Sequence, residues 1–245
     1  MRPTPQNSVL STIVLVPGHW LGAWAWDEVL THLRTAGLRA VAMTLPGLDD
    51  QDPGSSSRTL EEQAAAIQAV VDSVPEGVVL VGHSGANAPV SLVLDRSPEL
   101  IRRVVWVDSG PVTPGNVFAP ELPESVEELP LPSFDVLGER ASLEGLSADD
   151  LDRFRARAVP EPGPVLWEAV QLTNDARLGV PTTLVCCSIP STRILELAHM
   201  GHPMFAEVSR LEHVEVVDLP TGHWPMWSRA EDLAETIRDA ALRPT

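Results

Sequence analysis

A chain of 245 residues, 44% of them hydrophobic, suits one domain with a sizeable core and room for an insertion. Its 17 basic residues against 34 acidic ones give a formal charge of −17, which repels phosphate backbones and anionic lipid and argues against nucleic-acid or membrane partners. Every basic residue is arginine and tyrosine is absent, so lysine Schiff bases, serine–lysine pairs and tyrosine acids are excluded.

The start, Met1–Ser8, is short and polar, and the apolar run after it has only strand length. It lacks the longer core of a signal peptide and the roughly 20 residues of a membrane span, so a cytoplasmic protein is expected. Thr12–Val16 reads as a buried strand. The loop "PGHWLGAW" follows, then a helix over 24–35 that Gly37 stops, and a strand over 39–44. After the turn-rich "LPGLDDQDPGSSSR", Thr59 and Glu62 form a capping box for a helix that Pro75-Glu76-Gly77 ends. A strand over 78–81, a helix over 86–95 and a strand over 103–107 complete three strand–helix alternations. The pattern predicts an α/β fold: a mostly parallel central sheet with helices on both faces.

From Pro111 to Arg177 the texture changes to Pro, Glu and Leu without an obvious strand. Short helices are expected over 148–158 and 164–172. This stretch, 111–177, reads as a mainly helical cap inserted between core segments 1–110 and 178–245. The alternation then resumes with a strand over 181–187, a helix over 203–211 and a strand over 214–219. The loop "PTGHWPMW" leads to a last helix, which Ser228 and Glu231 should cap. Cys186 and Cys187 are adjacent inside an apolar run, which predicts strand packing rather than a disulfide or metal site.

The chemistry centres on "VVLVGHSGANAPV". A strand turning sharply into a helix exposes the residue at the turn, and small neighbours are needed there. Gly82 and Gly85 supply them around Ser84, although Ala86 stands where G-x-S-x-G has its last glycine. Ser84 is thus placed as a nucleophile at the carboxyl edge of the sheet. Of seven histidines, His223 lies in the loop after the last apolar strand and is the candidate base. His199 and His202 have metal-ligand spacing but lack a third ligand, and no cofactor motif is present.

These segments carry a resemblance. "PGHWLGAWAW", "GHSGA" and "GHWPMWS", in that order, resemble the α/β-hydrolase fold superfamily, in its small esterase and hydroxynitrile-lyase-like branch. The resemblance covers nearly the whole chain outside the cap. It implies the α/β-hydrolase fold, Ser84 as nucleophile and His223 as base. It also implies an oxyanion hole made by the backbone N–H groups of His19 and Gly85. Pro17 stands where that branch has a histidine. The branch usually carries its acid after the strand that here is "PTTLVCC", but no carboxylate follows until Glu196. Asp108, at the end of "RVVWVDSGP", is the substitute, because its strand should neighbour that of Ser84. Glu196 and an unassisted Ser–His pair are the alternatives. Gly18, Trp20 and Trp224 flank the oxyanion loop and the base and are expected to line the substrate site. His83 is expected only to pack.

The expected function is hydrolysis of a small carboxylic ester, thioester or lactone through a Ser84 acyl-enzyme, with no cofactor and a small-molecule substrate. A lyase or cyclase of secondary metabolism would use the same Ser–His pair as acid and base without an acyl-enzyme. A non-catalytic small-molecule binder on the same scaffold would ignore active-site-directed fluorophosphonates. The sequence leaves the substrate and the oligomeric state open.

Overall fold

The computed structural model of the protein describes residues 11–244. The expectation about the polar start, Met1–Ser8, lies outside the described residues. In chain order the elements are β1 (Thr12–Val16), α1 (Asp27–Thr35), β2 (Ala40–Ala42), α2 (Leu60–Asp72), β3 (Val78–His83), α3 (Asn87–Arg96) and β4 (Ile101–Val107). Then come β5 (Glu128–Leu129), α4 (Phe134–Gly138), α5 (Ala148–Arg157), β6 (Glu161–Pro162) and α6 (Gly163–Trp167). The chain closes with β7 (Thr182–Cys186), α7 (Ser191–His199), β8 (Val214–Asp218), α8 (Pro225–Ser228) and α9 (Ala230–Leu242).

β2, β1, β3, β4, β7 and β8 lie side by side in that order, and every pairing is parallel. Successive side chains on a strand point to opposite faces. Val14, Val16 and Leu80 therefore pack on one face with Ile67 of α2 and Val90 of α3. Ile13, Leu15, Val79 and Val81 pack on the other with Leu33 of α1 and Ile237 of α9. With both faces covered, β3 is buried along its whole length, which is why its sequence is a continuous apolar run rather than an alternation. The expected α/β architecture is what the chain adopts, and the Thr59–Glu62 capping box opens α2.

Several local expectations are corrected. The stretch between β4 and β7 does contain strand: β5 and β6 form a two-residue antiparallel pair, too short to leave a period-2 signal. α6 ends at Trp167 rather than Leu172. The 203–210 segment is 3-10 rather than α-helix, and α7 precedes it where no helix was expected. The start of α7 is fixed by a distant partner: the N–H and hydroxyl of Ser191 each bond an Asp218 carboxylate oxygen at 2.7 Å. Ser228 does not cap α9. It ends α8, and its hydroxyl pairs with Thr221 at 2.7 Å.

The sheet's centre and edge should respond differently to truncation. Leu80→Ala, at a fully buried site, should cost about 2–5 kcal/mol in urea unfolding. Val216→Ala, on the half-exposed edge strand β8, should cost about 1 kcal/mol or less. Equal costs would contradict this layering.

Candidate active site

The carboxyl ends of β1, β3, β4, β7 and β8 lie along one edge of the parallel sheet, and the loops leaving them converge. β3 ends at His83, and the chain turns at Ser84 into a 3-10 turn and then α3. Ser84 has φ 50°, in the left-handed region that a serine enters only at a cost of about 1–3 kcal/mol. Trp20 (φ 65°) and Asp108 (φ 44°) are the other non-glycine residues with positive φ among the described residues. All three lie on these converging loops.

The turn is possible because its surroundings are bare. A Cβ on Gly18 would lie 2.7 Å from the Ser84 Cβ, and one on Gly82 would lie 3.2 Å from the Trp106 ring. The Ser109 hydroxyl donates to the Ser84 carbonyl at 2.8 Å and pins the turn to the end of β4. Ser84 and His223 are half-buried, so solvent reaches them.

His223 Nε2 lies 2.7 Å from Ser84 Oγ, and His223 Nδ1 lies 2.6 Å from Asp108 Oδ2. An ionised carboxylate only accepts, so Nδ1 carries the hydrogen and Nε2 is free to accept from the serine hydroxyl. Asp108 is held on its other sides as well. Its Oδ1 accepts from the N–H groups of Cys187 (3.0 Å) and Ser188 (2.9 Å), and its Oδ2 accepts from the Ser188 hydroxyl at 2.6 Å. Burial pushes the Asp108 carboxyl up, but the bond and charge of His223 and the Ser188 bonds outweigh it, and the net shift is down. Ser188 follows β7, the strand after which the resemblance implied an acid. This chain puts donors there and the carboxylate on the neighbouring strand. Glu196 lies on α7 and its carboxylate pairs with Arg193.

The loop that carries His223 is clamped from two directions. The N–H groups of Gly222 and His223 donate to the Glu144 and Ser142 carbonyls, at 3.1 and 2.7 Å. A Cβ on Gly222 would come within 2.5 Å of that backbone. From below, His83 Nε2 lies 2.8 Å from the His223 carbonyl and donates to it. Burial first, then the His223 ring, pushes the His83 pKa down to about 3, so its ring is neutral. His83 therefore does more than pack: it fixes the backbone of His223. Burial also pushes both cysteine thiols up, Cys186 to about 12, which leaves neither as a thiolate nucleophile.

The loop after β1 places His19 against the turn: a Cβ on Gly85 would meet the His19 ring at 2.1 Å. Pro17 gives this loop no donor. Trp20 braces it instead, bonding Glu161 through its N–H (3.2 Å) and the Leu129 carbonyl through Nε1 (3.0 Å). Trp224 is 2% exposed and packs among the core aromatics; its ring meets His223 edge-on at 5.0 Å. Sequence reasoning missed Ser188 and Glu161. A serine and a glutamate in irregular segments carry no periodic or motif signal. No group of three or more His, Cys, Asp or Glu side chains is placed to hold a metal among the described residues.

Comparison with known proteins agrees with this architecture. Over 247 aligned positions the chain is 27% identical to the carbendazim hydrolyzing esterase of Nocardioides sp. (strain SG-4G), covering 93% of this chain and 98% of that protein. It is 37% identical over 116 residues to putative methylesterase 12, chloroplastic, of Arabidopsis thaliana, covering 44% of this chain but only 33% of the relative's length. An extracellular alpha/beta-hydrolase from a Paenibacillus species superposes with a TM-score of 0.74 at 20% identity, over 95% of this chain and 100% of the other. That likeness speaks for the fold alone. Residues 13–236, the whole sheet and most of the helices packed on it, match the alpha/beta hydrolase family, and the chain belongs to that family.

Proposed function

We propose that the protein is a serine hydrolase of a small carboxylic ester, thioester or lactone. The observation that carries this reading is the unbroken run of hydrogen bonds from Ser84 Oγ through the His223 ring to Asp108. The names of two relatives, an esterase and a putative methylesterase, support a carboxylic ester as substrate.

Ser84 Oγ attacks the carbonyl carbon as its proton passes to His223 Nε2. Asp108 stabilises the imidazolium and holds the ring in the required tautomer. The backbone N–H groups of His19 and Gly85 receive the charge that develops on the carbonyl oxygen. Each such donor contributes about 3–4 kcal/mol to the transition state. The protonated His223 then hands its proton to the leaving oxygen or sulfur, and the Ser84 acyl-enzyme forms. Water, deprotonated by His223, releases the acid and restores the serine. Residues 111–177 act as the cap, holding both the oxyanion loop and the base loop.

A fluorophosphonate should label the wild-type protein and not Ser84→Ala, and an activated ester should give a burst of one acyl group per chain. Linear release without a burst, or no labelling, would reject the acyl-enzyme in favour of an acid–base lyase or a binding protein. Asp108→Asn should lower kcat about 10³–10⁴-fold with KM little changed, since it favours the wrong tautomer of His223. An unaltered kcat would remove Asp108 from the mechanism.

Asp108 also links stability to pH. Its folded pKa is depressed below 3.8, so its stabilising contribution is complete above the unfolded value. It is lost as pH falls through the folded value. The stability advantage of wild type over Asp108→Asn should therefore hold at neutral pH and shrink as pH falls below about 4 in urea titrations. An advantage that is constant or grows would contradict the depressed value.

A further inference from the structure

A second histidine–carboxylate pair lies beside Ser84, and the proposed chemistry does not use it. The His19 side chain is 6% exposed, and its Nδ1 lies 3.0 Å from Oε2 of Glu161, a side chain itself only 2% exposed. The same oxygen accepts the Trp20 N–H at 3.2 Å, while Oε1 accepts from Gln63 Nε2 at 3.4 Å. The other ring nitrogen, His19 Nε2, is buried without a hydrogen-bond partner among the described residues. It lies over Gly85, the residue after the serine: a Cβ there would come 2.1 Å from it. The Phe118 ring covers the imidazole, centroid to centroid 4.2 Å.

The hydrogen on Nε2 follows from how Glu161 is compensated. Asp108 stays ionised beside a neutral ring because two backbone N–H groups and a hydroxyl also donate to it, whereas Glu161 has only the longer Trp20 and Gln63 bonds besides His19 among the described residues. A buried carboxylate so thinly compensated favours a proton shared with its partner, as an imidazolium against a carboxylate or a neutral ring against the protonated acid. In both, Nδ1 is engaged with Glu161 and Nε2 carries a hydrogen; a neutral ring donating from Nδ1 would leave Nε2 bare. Nε2–H is then a buried donor waiting for an acceptor.

The sheet order says which part of a substrate supplies that acceptor. β1, which leads to His19, flanks β3 on one side, whereas β4 and β8, which lead to Asp108 and His223, lie on the other. The leaving group must sit by His223 to receive its proton, so the acyl part falls toward His19. We propose, resting on the Ser84 hydrolase reading, that His19 Nε2–H, set by Glu161, binds an oxygen of the acyl group close to the scissile carbonyl. The substrate class is thereby narrowed to esters or lactones whose acyl part carries an ether, hydroxyl or carbonyl oxygen beside the reacting carbon.

The test compares p-nitrophenyl methoxyacetate with p-nitrophenyl butyrate, which match in length and differ by an oxygen for a methylene. Glu161→Gln keeps the shape of the pair. The Trp20 N–H requires an acceptor at that position, so the amide presents its oxygen, the ring holds its hydrogen at Nδ1, and Nε2 becomes an acceptor. His19→Phe keeps a ring under Phe118 and removes both nitrogens. The ratio of kcat/KM for the two esters should fall about tenfold from wild type to each variant, intrinsic reactivity cancelling in the comparison. If both esters slow together and the ratio stays fixed, His19 is only structural and the proposal is wrong. Nitrogen-15 spectra of the histidine rings, with His19 assigned by its loss in His19→Phe, read the donor without turnover. Nε2 should be protonated in wild type and bare in Glu161→Gln, and a bare Nε2 in wild type overturns the proposal. Fluorophosphonate labelling run alongside keeps the two ideas apart: an unlabelled wild type defeats the hydrolase reading, whereas a labelled one with an unmoved ratio defeats only the role of His19.

Discussion

A buried negative charge at the end of β4 organises the rest of this structure. The Asp108 carboxylate is tolerable there only because it accepts from His223, from two backbone N–H groups and from the Ser188 hydroxyl. Those partners belong to two separate stretches, so satisfying one charge registers the end of β4 with that of β7 and with the loop after β8. It also fixes the hydrogen on the His223 ring, because a carboxylate can only accept. The orientation of Ser84 Oγ toward Nε2 follows from that assignment. Geometry at the serine is in this sense a consequence of electrostatics more than twenty residues away in sequence.

The stretch between β4 and β7 matters for the same kind of reason. Beyond Asp108 itself, it donates no side chain to the bonds joining Ser84, His223 and Asp108, yet it holds the loops that do. The Ser142 and Glu144 carbonyls accept from the His223 loop, and Leu129 and Glu161 accept from Trp20. These are backbone and buried bonds, which fix position more firmly than exposed side-chain contacts do. Three residues in costly left-handed backbone, Trp20, Ser84 and Asp108, persist because such bonds over-determine them.

This division explains what could be read from the sequence. The parallel sheet was legible because both its faces are covered, which forces apolar runs such as Val78–Val81 and leaves turn residues between them. Ser84 and His223 were legible because each stands in a short motif at the end of such a run. Asp108 could be reached only by asking which strand end lay next to that of Ser84. The irregular parts were not legible. β5 and β6 are two residues long, and the start of α7 depends on Asp218, a partner 27 positions away. Ser188 and Glu161 act through contacts made in space, with nothing local to mark them. His83 was visible as a residue but not as a donor, since its acceptor is the carbonyl of a histidine 140 positions on.

The same logic bears on the bareness of the residue after the serine. At Gly85 the backbone itself is ordinary enough for other residues, since its φ is not among the positive values. What forbids a side chain is the His19 ring, which occupies the space a Cβ would need. The glycine and the histidine therefore constrain one another across 66 positions of sequence. A methyl group at 85 would evict the ring from its seat against Glu161 and leave that carboxylate buried without its partner, a larger loss than the contact itself. Steric fit at one backbone position and charge balance at a distant strand are thus a single requirement, and it can be met only when both residues and the glutamate are present together.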